Sequence, residues 1–281
     1  MTIKFDTLAR QEMYKKFNQA DFMWDGTPVC KMVVEPIQVR EARKYIASFH
    51  YSRTMPDSTR FVYAGYLGGK LAGIICYGMG CGKGQYTSLF PNIENGHYIE
   101  LTRLWCADNM PKNTESKLIS ESLRMLPPEI EVVLSFSDEG EGHIGTIYQA
   151  TNWYYVGVNN GGKMLIKDGI KKHPRLIGIY RDRHPELKDW STEEIRKMLG
   201  YEYIESGRKH KYVFLRGTKS TKRKNFNLIK HLIQPYPKAN KPVCLNESEI
   251  IQSRMFKDDF ILMDEYLDDE RNGTKEGADN G

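Results

Sequence analysis

Ser135-Phe136-Ser137-Asp138-Glu139-Gly140-Glu141-Gly142-His143-Ile144-Gly145-Thr146-Ile147-Tyr148-Gln149-Ala150-Thr151-Asn152-Trp153 joins the end of an apolar strand to a glycine-rich acidic loop and then to a short helix. Ile144, Ile147, Tyr148 and Thr151 recur at helical spacing. Asn152 falls where a helix closes on a left-handed residue, a conformation asparagine tolerates better than most side chains. Strand, turn and capped helix together gather Ser137, Asp138 and His143 at the C-terminal end of one strand. In an α/β sheet that is where ligands bind.

Working outward, Lys31 to Ile37 reads as a first strand and Val39 to Phe49 as a helix, with Val39, Ala42, Arg43, Ile46 and Phe49 along one side and His50-Tyr51-Ser52 at its end. Phe61 to Leu67 and Lys70 to Tyr77 read as strands joined by Gly68-Gly69, a pair suited to the positive φ angles of a two-residue hairpin turn. His97 to Cys106 is a buried strand. Glu115 to Leu126 is a helix with Asn113 or Thr114 as N-cap and Pro127-Pro128 as its stop. Strands follow at Glu131 to Phe136 and, past the opening motif, at Trp153 to Val158. That order predicts an α/β protein: a mixed sheet with an antiparallel N-terminal half and a parallel centre, flanked by helices, in a single domain with a basic C-terminal extension.

Beyond Asn159 the pattern predicts a loop at Asp168 to His173, a strand at Leu176 to Tyr180, a helix at Thr192 to Leu199 and a last strand at Lys211 to Leu215. Residues 1–30, amphipathic around Leu8, Met13 and Phe17, carry no readable motif. Residues 31–235 form the expected catalytic domain, including a basic segment 160–235. Residues 236–281 read as an acidic, flexible tail with a short helix around Phe260-Ile261-Leu262-Met263.

The 281 residues suffice for a substantial core. Five scattered cysteines, with no Cys-x-x-Cys pair, indicate neither a zinc module nor a disulfide framework and point to a reducing cytoplasm. No apolar run has the length of a membrane span, so a soluble chain without a membrane partner is expected. The net charge of +5 is unevenly spread: 21 basic against eight acidic residues lie between Asn160 and Lys241, and the sign reverses from Pro242 onward. Lysines and arginines interleaved with Tyr180, Tyr201, Tyr203, Tyr212 and Phe226 match a surface that meets a polyanion, although a solvated basic face has the same composition. Lys171, Lys172, Lys219, Lys222, Arg223 and Lys224 are the candidate nucleic-acid contacts.

The element order, and the ending Ile147-Tyr148-Gln149-Ala150-Thr151-Asn152-Trp153, resemble the acetyl-CoA-dependent N-acetyltransferase (GNAT) superfamily, with Asn152 where a glycine usually stands. More specifically, His50-Tyr51-Ser52, Glu100-Leu101-Thr102-Arg103-Leu104, Ser137-Asp138 and Gly142-His143-x-Gly145-Thr146-Ile147-Tyr148-Gln149-Ala150-x-Asn152-Trp153 resemble the Mom family. Those are phage-encoded enzymes that convert DNA adenine to N6-carbamoylmethyladenine and so protect phage DNA from restriction. The resemblance implies a DNA-modifying transferase acting on double-stranded DNA in the host cytoplasm, with an acetyl-CoA or other acyl-CoA-like donor. It also implies catalytic roles for His50, Tyr51, Arg103, Ser137, Asp138 and Tyr148.

Within that frame Asp138 accepts a proton from the adenine N6 amine; its plain alternative is a turn aspartate. Tyr148 protonates a departing thiolate, or is core with a satisfied hydroxyl. Arg103, mid-strand, holds an anionic cofactor group or Asp138, or faces outward. His50 takes a proton, stacks on a base or caps its helix; with Asp138 and His143 it is also a weak candidate set for divalent iron, which no motif spacing supports. Leu104, Cys106, Lys112, Asn113, Thr114, Ser116 and Lys117 are the cofactor-binding candidates, in a loop that lacks the superfamily's glycines, has Pro111 and carries Glu115. The alternatives are a conventional acetyl-CoA N-acetyltransferase acting on a small amine, RNA or protein, and a catalytically silent nucleic-acid-binding protein.

Overall fold

A computed structural model describes residues 13–238 apart from 81, 169 and 173. Leu8, most of the acidic tail and the helix expected at 260–263 lie outside the described residues. The described chain divides into two compact units, one running to Asn159 and resuming at Lys209, the other spanning Asn160–Arg208.

The first unit is built on a seven-stranded sheet in the order β1-β2-β3-β4-β5-β10-β6. Its strands are β1 (Val33–Pro36), β2 (Thr59–Leu67), β3 (Lys70–Gly78), β4 (Tyr98–Cys106), β5 (Val132–Asp138), β6 (Tyr154–Asn159) and β10 (Lys209–Leu215). Pairing is antiparallel from β1 through β4, as the hairpin signal at Gly68-Gly69 requires, and both glycines take positive φ, +56° and +75°. β4 and β5 pair in parallel, and β10 then inserts antiparallel between β5 and β6. Strand β10 was legible as a strand but not as the partner of β5, because a long-range register has no local signature.

Helices α1 (Val39–Phe49) and α3 (Thr114–Met125) lie where their periodicity puts them. α1 buries Ala42, Ile46 and Phe49, and α3 buries Leu118, Ile119 and Leu123. Phe49 stacks on Trp105 of β4 with centroids 5.0 Å apart and Tyr14 stacks on Phe49 at 4.3 Å, so Tyr14, Phe17 and Phe22 give α1 an aromatic cover. A second core joins Tyr86, Phe90, Tyr98, Val132, Leu134, Val213 and Ile229, with Phe136 and Phe226 packed against it. It sits beneath the short helix α2 (Lys83–Thr87) and α7 (Lys219–Ile229), neither of which is expected from the sequence pattern. The stretch at 219–224 looks like a polar run because only Asn225 and Ile229 of α7 are fully buried. Thr218 caps the helix by accepting from the Thr221 N–H, and Asn225 donates to Glu131 at 3.0 Å.

The second unit has a three-stranded antiparallel sheet, β8-β7-β9, of Ile170–Lys172, Lys163–Lys167 and Glu202–Glu205. Its core is Leu165, Ile177, Leu187 and Ile195. Two expectations fail here. The loop at 168–173 contains β8, paired to β7 after a turn in which Asp168 holds φ +50°. Leu176 to Tyr180 lies in helix α5 (Arg175–Arg183), not a strand: Pro174 stands at its N-cap, and Leu176, Ile177 and Tyr180 pack into the core at helical spacing. Helix α6 (Thr192–Met198) appears where expected, opened by a capping box between Ser191 and Glu194.

Candidate active site

Parallel pairing of β4 with β5 ends at Leu101↔Ser135, although β4 runs on to Cys106 and β5 to Asp138. The strands part there, and a cleft of about 310 Å³ occupies the fork. Glu100, Leu101, Thr102 and Arg103 line it from β4, and Phe136 and Asp138 from β5. Tyr51, Gly80, Gly82, Gln85, Asn159 and Lys209 complete the walls. The motif's strand therefore ends at a cleft.

Strand alternation sorts the expected residues. Phe136 and Asp138 share one face of β5 and reach the cleft; Ser135 and Ser137 take the other face. Ser137 is buried and absent from the cleft walls, so it has no direct access to a ligand there. Asp138 Oδ1 accepts from the Gly140 N–H at 3.0 Å, capping a single 3₁₀ turn, while Oδ2 lies 3.8 Å from Lys209 Nζ. It is thus both a turn aspartate and a cleft carboxylate, with its side chain 23 % exposed.

Glu100 is a second cleft carboxylate that the sequence reading quoted without giving it a role. A Cβ on Gly80 would come within 2.7 Å of its Oε1, so glycine leaves the space the carboxylate occupies. The available signal was its position as an acid on an otherwise buried strand. Arg103 faces neither outward nor toward Asp138. Its Nε and Nη1 donate to the carbonyls of Thr54 and Thr102, each at 2.6 Å, and burial lowers its pKa, opposed by Tyr51 and Glu100.

Tyr51 stands between two imidazoles, its ring centroid 4.3 Å from His50 and 5.8 Å from His143. As a residue it is 39 % exposed, yet its phenol lies at the cleft, where burial pushes its pKa up to about 12 against the opposing pull of Arg103. His50 is buried, and its Nδ1 is held by the Ser52 N–H at 3.1 Å. Among the described residues no group of three His, Cys, Asp or Glu side chains is placed to hold a metal, so His50, Asp138 and His143 do not form a ligand set.

Helix α4 (Thr146–Gln149) is shorter than the 144–151 stretch its apolar spacing suggests, and it is fixed from both ends. Gly145 holds φ +81°, and a Cβ there would run into the ring of Tyr212 on β10. Asn152 takes the expected left-handed conformation, φ +61°. Tyr148 is buried between Trp153 and Tyr212, centroids 5.1 Å from each, and shares a 2.8 Å hydrogen bond with Ser135 Oγ. Burial raises its pKa, so the phenol keeps its proton. It meets Ser135 on the face of β5 opposite Asp138 and is not among the cleft-lining residues.

The expected cofactor loop leads into α3. Asn113 holds φ +70° at the N-cap without a side-chain bond, the Thr114 hydroxyl donates to the Pro111 carbonyl at 2.7 Å, and Lys117 is paired with Glu121 at 2.7 Å. Leu104 is half-buried. Cys106 is buried with its Sγ against Gly73. What remains for an anion is the exposed Lys112, with Ser116 and the first-turn N–H groups of Glu115 and Ser116, beside the opposing charge of Glu115. Lys219, Lys222, Arg223 and Lys224 are all exposed on α7 of the first unit, and Lys171 and Lys172 lie on β8 of the second.

An α/β sheet whose parallel strands fork around a carboxylate-lined cleft is the frame of a ligand-binding enzyme. A model of the Mom protein family matches residues 31–238. Methylcarbamoylase mom of Escherichia phage Mu is 31% identical over 217 residues, 73% of this chain and 83% of the phage protein. The chain belongs to the Mom protein family. Among solved structures, IAA acetyltransferase from Bacillus cereus superposes with a TM-score of 0.37 at 10% identity, over 66% of this chain and 99% of that one. An acetyltransferase of the GNAT family from Streptococcus pneumoniae does so at 0.36 and 10%, over 66% and 100%. Superpositions this loose carry no weight for chemistry or substrate.

Proposed function

We propose that the chain is a phage DNA-modifying transferase that converts adenine to N6-carbamoylmethyladenine in double-stranded DNA, acting in the host cytoplasm. The observation that carries this reading is the 31% identity to phage Mu Methylcarbamoylase mom over 217 residues. The cleft supports it chemically. An adenine in a duplex hides its N6 amine in the stack, so the base must leave the helix, and the fork offers a cavity at the lower end of the roughly 300–1,000 Å³ range of small-ligand sites.

In this reading N6 forms a bond to the incoming carbon, the departing group leaves with the bonding pair, and one N6 proton passes to a carboxylate. N6 is very weakly basic, so the proton must move as the bond forms. Asp138 and Glu100 both line the cleft and share that work, and Lys209 Nζ stands 3.8 Å from Asp138 Oδ2. Arg103 is a positioning residue: by holding the Thr54 and Thr102 carbonyls it fixes the wall between α1 and β4. His50 and His143 hold Tyr51 against the base. Tyr148, whose hydroxyl meets Ser135 at the base of the fork, enters as proton donor to the leaving group from that side of β5.

A CoA-like donor would have to present a carbamoylmethyl CH2 carbon on its leaving group, because an acyl carbonyl carbon would leave an N6-amide instead; Lys112, Ser116 and the first turn of α3 are the groups that would hold its phosphates. The exposed lysines and arginine of α7 contact DNA phosphates. DNA digested from cells expressing the chain, examined by mass spectrometry, should contain deoxyadenosine heavier by a carbamoylmethyl group. An acetyl-sized increment would transfer the assignment to acetyl transfer, and unmodified DNA from soluble protein would reject the enzyme reading.

A further inference from the structure

Two amide side chains meet on the cleft wall opposite the carboxylates. Gln85 comes from α2 and Asn159 from the end of β6, and Asn159 Nδ2 donates to Gln85 Oε1 at 3.1 Å. Neither has a part in the chemistry above. That bond leaves both N–H groups of Gln85 Nε2 and the Asn159 carbonyl oxygen without another side-chain partner among the described residues. Reversing both amides swaps which residue shows which group, and the pair still turns a donor and an acceptor toward the cleft.

Register fixes how far this pair stands from the reacting end. Lys209 of β10 is directly opposite Asp138 on one side and Asn159 on the other. Asp138, Lys209 and Asn159 thus form one row across β5, β10 and β6, and all three line the cleft. Two strand spacings separate the ends of that row, about 10 Å. A base held by a hydrogen bond at each end of its six-membered ring, N6 at one end and N3 at the other, fits such a span.

We infer that the Gln85–Asn159 amide pair binds the edge of the extruded adenine remote from its N6 amine, donating to N3, and so selects the base and presses N6 toward Asp138 and Glu100. This rests on the reading of the cleft as an adenine site. Guanine carries an amine beside N3, which sets a donor against the amide donor. The pair acts as a specificity device at one end of the base while the carboxylates act at the other.

The test is binding of the purified full chain to labelled duplexes in which one strand carries, opposite an abasic site, adenine, 3-deazaadenine or no base. The wild type should bind the adenine duplex most tightly and lose roughly tenfold when N3 is removed, the effect of one base-edge contact. Gln85→Leu should bind the adenine duplex as weakly as the wild type binds 3-deazaadenine, and should no longer distinguish the two. Gln85→Glu, which keeps the shape and loses the donors, should behave alike, which separates recognition from loss of packing. If wild type and both variants show equal sensitivity to 3-deazaadenine, or the wild type shows none while preferring adenine to no base, the amide assignment is overturned and the adenine site stands. A wild type indifferent to adenine against no base overturns both.

Discussion

The hydroxyl of Ser135 donates to the carbonyl of Leu101, its register partner across the parallel β4–β5 pair, at 3.0 Å, and the two strands part immediately beyond. One serine thus closes the last rung of the ladder at the point where the cleft begins, and it also touches Tyr148 at 2.8 Å. The fork, its closure and the motif helix are therefore one connected structure.

Asp138→Ala should abolish adenine modification. Losing the cap to Gly140 costs about 1 kcal/mol, too little to unfold the domain. Asp138→Asn keeps the cap acceptor and loses the charge, so it should be as stable as wild type and equally inactive. Normal modified-adenine content from a soluble Asp138→Asn protein, with Glu100→Gln inactive, would assign the base to Glu100 alone.

Tyr148→Phe deletes an oxygen and keeps the ring between Trp153 and Tyr212. As a proton donor it should lower turnover roughly 10²–10⁴-fold. Ser135→Ala gives the control, since it removes the same bond but leaves the phenol. If Tyr148→Phe retains full turnover, Tyr148 is an anchor of the fork and no acid.

Gly145→Ala forces a side chain into the ring of Tyr212 at a φ of +81°, and should cost about 1–3 kcal/mol from backbone strain before the clash is counted. Thermal unfolding measures the loss. A variant with unchanged Tm would show that helix α4 is not held by this contact.

Reversing Lys222, Arg223 and Lys224 to Glu leaves the buried side of α7, Asn225 and Ile229, intact, so the fold should survive. Duplex affinity should fall regardless of sequence, and its salt dependence should become shallower as fewer counterions are released. Removing residues from Pro242 onward should leave binding intact or stronger. An unaltered salt slope in the triple variant would clear α7 of any phosphate contact.

Alkaline pH should weaken the fold through its buried phenols. Burial pushes Tyr51 and Tyr212 up from 10.0 to about 12, so the folded chain keeps protons the unfolded chain has lost. Stability present below pH 10 therefore declines as pH rises between about 10 and 12. Absorbance of ionising phenolate alongside denaturant midpoints would show it. A midpoint constant across that window counts against buried phenols.

The sequence by itself determined the elements whose signals are local. Gly68-Gly69 set a hairpin, Ala42, Ile46 and Phe49 set a helix face, and Asn152 set a left-handed stop, because turn chemistry and periodicity act within a few residues. The family, and Asp138 at the strand end, were legible for the same reason. Tertiary structure decided the rest. β10 entered between β5 and β6 and brought Lys209 and Asn159 into a row with Asp138, a pairing of residues far apart in the chain that no local pattern encodes. The parity of β5 turned Ser137 away from the cleft and Asp138 into it. Helix α7 hid as a polar run because its buried side is only two residues wide, and Leu176 to Tyr180 was read as a strand because a short apolar run fits both periods until a core chooses one. Glu100 became a site residue only when Gly80 and the fork left it room, since a charge on a buried strand acquires a purpose from what packs around it.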